Sequence, residues 1–229
     1  EGVRQSKAVQ DLCPVCRDPL PPGPDQLCDA ALRIQLRVER QVERREEGWT
    51  NLPSKLQEDM NRVNQLYELA RGQGHTGAMC NLGVMYENGQ GVAQSFAKAI
   101  GLYEQAAAKG HAGAMCNLGV MYENGQGVAR SVAKAIELYE QAAAKGHAGA
   151  MCNLGVMYEN GQGVARSFAK AIELYEQAAA KGHAGAMCNL GVMYENGQGV
   201  AQSFAKAIGL YEQAAAKGMQ CDVQPRCHV

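Results

Sequence analysis

The sequence has no surplus of charge of either sign: 22 Lys and Arg stand against 23 Asp and Glu, a formal net charge of -1. With a pI of about 6.6, that balance leaves no electrostatic footprint for DNA, RNA or an anionic membrane surface. Also absent is any apolar run of the roughly 18 to 20 residues that cross a bilayer. No N-terminal charged region leads into a hydrophobic stretch and cleavage site. The expectation is a cytoplasmic protein that binds neither nucleic acid nor membrane. An initiating methionine is missing too, because the chain starts at Glu1, and this points to a processed or truncated product. Finally, no carboxylate, serine or cysteine recurs beside a histidine at a spacing that builds a nucleophile and its base, so no catalytic residue and no enzyme activity are expected.

What the sequence does have is repetition. His75, His111, His147 and His183 recur every 36 residues, as do Cys80, Cys116, Cys152 and Cys188, and the text between them is almost the same from 75 to 218. The first and fourth units differ only at Thr76 against Ala184. Within a unit, Ala78, Leu82, Gly83 and Tyr86 fall on one helical face and predict a helix A over 78–88. Asn88-Gly89 and Gly91 supply the left-handed backbone that stops it. Ser95 is placed to cap a helix B, in which Phe96, Ala99, Ile100, Leu102, Tyr103, Ala106 and Ala107 form an apolar stripe ending near Gly110. A hairpin this short cannot bury its own apolar face, so it must stack on the next one, with Gly83, Ala99 and Ala106 allowing close approach.

The series Ala78, Leu82, Gly83, Tyr86, Gly89, Gly91, Val92, then Lys98, Ala99, Ala106, Ala107 and Gly110, resembles the Sel-1-like repeat, a relative of the tetratricopeptide repeat. The resemblance covers about two-thirds of the chain, and Ser95 stands where the family often has Asp. It implies an all-α, right-handed α-solenoid of antiparallel helical hairpins, acting as an adaptor or scaffold for a protein or peptide. If tetratricopeptide geometry transfers, helix A supplies the inner surface. Its exposed positions would be Cys80, Val84 and Glu87, repeated as Cys116, Val120, Glu123, Cys152, Val156, Glu159, Cys188, Val192 and Glu195. Such a shallow apolar groove with an acidic edge should take an extended or helical peptide carrying apolar residues and a few Lys or Arg.

Four regions follow: an N-terminal segment 1–24, helices with a divergent repeat over 25–74, the four repeats over 75–218, and a tail 219–229 expected to be disordered. Subtracting 36 sets Asp59 under Ser95, Tyr67 under Tyr103 and Gly74 under Gly110, which predicts a divergent helix B over 55–72. Ser54 and Gln57 have the spacing of a capping box at its start. Upstream, Leu32, Ile34, Leu36, Val38 and Val42 alternate like a strand in part, but length and helix-forming neighbours favour a helix packed on the first hairpin.

Cys13-Pro14-Val15-Cys16-Arg17 can grip one zinc ion from a single knuckle, as tetrahedral zinc requires. With its proline and arginine it resembles the last ligand pair of a RING finger, the zinc module of many ubiquitin ligases. Algal and protist proteins joining such a finger to Sel-1-like repeats are similar in layout. The departure is that six of the eight ligands would precede Glu1, so no cofactor is expected in this chain and zinc only in a longer parent. The alternative function is thus the substrate-recruiting part of a RING-type ligase. Cys221, Cys227 and His228 fit no closed zinc site. A disulfide ladder among the repeated cysteines is not expected, because stacked helices lie about 8 to 10 Å apart and a disulfide needs Cα atoms within roughly 7 Å. Each recurrent His is read as covering a helix end, Met79 and Met85 as packing, and Lys98 as paired with Glu87 or Glu104. Gly101 and Gly209 weaken the outer helices, and an uncapped last face invites self-association.

Overall fold

The computed structural model describes residues 22–45, 48–49, 51–219 and 221. Cys13, Cys16, Cys227 and His228, and with them the zinc-knuckle reading, lie outside the described residues. Ten α-helices and no strand are present among the described residues, the all-α, stacked-hairpin class expected of an α-solenoid. They fall into two compact units, one ending at Gln94 and the other starting at Ser95.

The first unit holds α1 (Pro24–Val42), α2 (Ser54–Gly72) and α3 (Thr76–Asn88). Pro24 opens α1 where a missing N–H costs nothing, with Asp25 in the first turn and Arg40 in the last, each matched to the helix dipole. Leu27, Ala31, Gln35, Val38 and Val42 are buried, a helical period that leaves Leu32 and Leu36 exposed and removes the strand alternative. Against them pack Met60, Val63, Tyr67 and Ala70 of α2. The buried Gln35 is satisfied: its Oε1 accepts from the Tyr67 hydroxyl at 2.8 Å and its Nε2 donates to Glu39 at 2.8 Å. The capping box at Ser54 does not form. Pro53 is the cap residue without a side-chain bond, and the Gln57 amide donates instead to Asn61 and to the Gly91 carbonyl, at 3.1 and 3.0 Å. Gly91, at φ +69°, is obligatory: a side chain there would begin 2.5 Å from Met60 Cβ.

The second unit runs through α4 (Phe96–Ala108), α5 (Ala112–Asn124), α6 (Val132–Ala144), α7 (Ala148–Asn160), α8 (Phe168–Ala180), α9 (Ala184–Asn196) and α10 (Phe204–Ala216). Within the unit each helix packs on the next in the chain. The local causes repeat. His111 Nδ1 accepts from the Ala114 N–H at 3.1 Å, so the histidine caps the start of α5. Gly125, left-handed at φ +70°, stops α5, and Ser131 Oγ accepts from the Lys134 N–H at 3.4 Å to start α6. Tyr139 lies on the bare face of Gly119, where a Cβ would meet its ring at 2.6 Å. Around it Met115, Cys116, Ile136, Ala150, Leu154 and Met157 close a core drawn from successive hairpins. A single hairpin has no such core, so its stability comes from the stack.

Candidate protein-interaction surface

Helix A is covered on two sides, and this decides which of its side chains remain accessible. The expected exposure of the cysteines is corrected: Cys80, Cys116 and Cys152 are buried thiols, and Cys188 is disulfide-bonded to Cys221. Cys116 and Cys152 sit in the cores between hairpins. Their sulfurs take hydrogen bonds from the next hairpin, Asn153 Nδ2 at 3.9 Å and Asn189 Nδ2 at 3.7 Å. Burial, with a smaller push from the nearby Glu159, moves the Cys152 thiol up to about 11 despite the Asn189 bond. Burial and then Glu87 move Cys80 up to about 11 as well. These thiols are packing residues, not contacts for a ligand.

The other two columns stay within reach of solvent. Val84, Val120 and Val156 are half-buried and Val192 is exposed. Glu87, Glu123, Glu159 and Glu195 are half-buried. In the second unit the carboxylates are tied down, since Tyr139, Tyr175 and Tyr211 donate to Glu123, Glu159 and Glu195 at 2.7, 2.7 and 2.8 Å. Burial, reinforced by the carboxylate, drives these phenols far upward, so they remain donors. The backbone carbonyls of the same glutamates accept from Arg130, Arg166 and Gln202. The acidic edge is therefore a fixed one, with one oxygen of each carboxylate engaged.

Neither the tyrosine bonds nor the asparagine bonds were foreseen. Their only trace in the sequence is recurrence, at separations of 16 and 37 residues that join different helices. Lys134, Lys170 and Lys206 lie over the rings of Tyr122, Tyr158 and Tyr194 at 4.8 to 5.0 Å, so an aromatic face helps offset a cation in a first helical turn. The histidines are helix caps. Burial lowers the pKa of His147, helped by His111 and His183, and that of His183, which suits an Nδ1 that must stay an acceptor.

Among the described residues no group of three or more His, Cys, Asp and Glu could hold a metal ion. No described helix is long and apolar enough to cross a membrane.

The Sel1 repeat model matches residues 76–111, 112–147, 148–183 and 184–219. No curated protein matches the chain. Among solved structures, a protective antigen of uropathogenic Escherichia coli with an SLR fold is 33% identical, with a TM-score of 0.64 over 86% of this chain. The chain spans only 42% of that protein's length. A Sel1 repeat protein from Oxalobacter formigenes, 24% identical, shares the fold at a TM-score of 0.65 over 84% of this chain and 83% of its own. An immunity protein from Pseudomonas aeruginosa, 25% identical, aligns at 0.61 over 87% of this chain and 69% of its own. With four consecutive matches over more than half of its length, the chain belongs to the Sel1 repeat family, whose stacked hairpins serve as protein-interaction scaffolds.

Proposed function

We propose that the chain is a scaffold that binds a protein or peptide along the accessible columns of its A helices. The observation that carries this reading is the regular pair of rows in the second unit. Val120, Val156 and Val192 keep apolar surface within reach of solvent, and Glu123, Glu159 and Glu195 follow at fixed spacing, held by tyrosine hydroxyls. Rows set before binding lose little side-chain entropy when a partner arrives. The chemistry they fit is an extended or helical segment with apolar side chains and a few Lys or Arg. An immunity protein among the similar folds is in keeping with a protein ligand.

The test is selection from a displayed peptide library by the full chain and by two variants. Glu123→Gln, Glu159→Gln and Glu195→Gln together keep the acceptor for each tyrosine and remove the charge, so the preference for Lys and Arg should fall. Val120→Thr, Val156→Thr and Val192→Thr together should weaken apolar selection at nearly constant shape. Identical peptide profiles for all three proteins would remove this surface as the site. The ligase alternative is supported only by Cys13-Pro14-Val15-Cys16. Further Cys and His pairs at RING spacing in the coding sequence upstream of Glu1 would support that alternative, and unrelated sequence there would eliminate it.

A further inference from the structure

The four helix-A cysteines are alike in sequence and unlike in setting. Cys116 and Cys152 are buried, each facing an asparagine of the following hairpin. Cys188 is half-buried and bonded to Cys221, with Cα atoms 5.6 Å apart, a separation that a disulfide spans. We propose that Cys188 and Cys221 form a reducible staple which closes the C-terminal end of the repeats in place of another hairpin, and that a dithiol reductant opens it.

The chain reaches Cys188 by staying on the path of a repeat. The Met219 N–H donates to the Ala214 carbonyl at 3.2 Å, as His183 does to Ala178 at 3.0 Å. Met219 Sδ stands 3.9 Å from where a side chain on Gly185 would begin, and His183 Nε2 stands 3.8 Å from the matching point at Gly149. Met219 thus takes the place of the capping histidine. Counting back 36 from Cys221 gives Gly185, so Cys221 falls in the register of a helix-A position and meets the Cys188 sulfur, as Asn189 of the following hairpin meets that of Cys152. Met219 and Cys221, expected within a disordered tail, are therefore held against α9 and α10.

The bond encloses a span of 33 residues that contains nearly all of this hairpin, and closing such a loop removes freedom from its opened state. The hairpin needs it, because Phe204 and Ile208 are both 56% exposed. Opening proceeds by two exchanges. A thiolate of the reductant attacks one sulfur of the pair, forming a mixed disulfide and releasing the other cysteine as a thiolate. The second thiol then displaces the protein sulfur, and the reductant departs as its own disulfide. Two electrons pass to the protein and two protons end on Cys188 and Cys221. The pair is half-buried and within reach of a reductant, whereas Cys116 and Cys152 are covered.

The test uses the full chain, with free thiols blocked before digestion and linked peptides identified by mass, followed by amide exchange with and without dithiothreitol. Cys188 should be found joined to Cys221. Dithiothreitol should speed exchange in α9 and α10 by about tenfold or more, with α7 and α8 unchanged. Cys221→Ser should show the fast pattern without reductant and no further response to it. Cys188 found free or joined to another cysteine, or exchange in α10 that ignores dithiothreitol, overturns the proposal.

Discussion

Two hairpins of the second unit, α7–α8 and α9–α10, are nearly the same peptide in different surroundings. Their A helices are identical, and their B helices differ only at Glu173 against Gly209. Yet Ile172 is 8% exposed and Ile208 is 56%, and Tyr175 is fully buried where Tyr211 is only half-buried. Burial in this chain is a property of position in the stack, because the wall that covers one hairpin belongs to the next. The two hairpins should then respond differently to equal substitutions.

The largest effect is expected at the tyrosines. Tyr175→Ala removes a buried ring and strands Glu159, and should cost about 3 to 5 kcal/mol, whereas Tyr211→Ala should cost about half as much by the same area argument. Urea midpoints at constant slope measure this, and equal losses would break the comparison. Next come the glycines beneath those rings. Gly155→Ala places a Cβ 2.6 Å from the Tyr175 ring, and overpacking of this kind costs about 1 to 3 kcal/mol. At Gly191 the contact is equally short, 2.5 Å from Tyr211, but that ring has solvent to move into, so thermal melting of Gly191→Ala should show the milder loss.

Smaller still is the histidine cap, where His147→Ala should cost about 1 kcal/mol. The sign of its pH dependence follows from the lowered pKa of His147 and His183. Unfolded chains bind these protons more readily, near the ordinary value of about 6.5. The stabilisation is complete above that pH and fades as pH falls through the lower folded value. Unfolding followed from pH 7.5 to 5 should show the decline, and His147→Asn with His183→Asn, which keep the caps without titrating groups, should flatten it. The smallest change sharpens the contrast between hairpins. Nothing lies within 4 Å of a Cβ at Gly209, so Gly209→Ala should stabilise α10 by about 0.5 to 1 kcal/mol, seen as slower amide exchange there. If α10 already exchanges more slowly than α8, its weakness as an end hairpin is disproved.

Much of this was legible in the letters because it is local. Left-handed Gly125 and the Ser131 cap each act within a few residues of where they stand. The capping box at Ser54 misled because Pro53 took the cap position and the Gln57 amide found a carbonyl 34 residues away, at Gly91. Cys116 misled for a related reason: on a helix covered from two sides, apolar periodicity names a face without saying whether anything lies against it.

Repetition, helix limits and the need for hairpins to stack are written along the chain, since backbone preferences and apolar period act over a few residues at a time. Which cysteines are hidden, which carboxylates are held by tyrosines, and why Cys188 meets a partner sulfur depend on groups 16 to 37 residues apart. The tyrosine bonds exist only once the two helices of a hairpin lie together, and the asparagine bonds only once one hairpin lies on another, so identical residues acquire different surroundings.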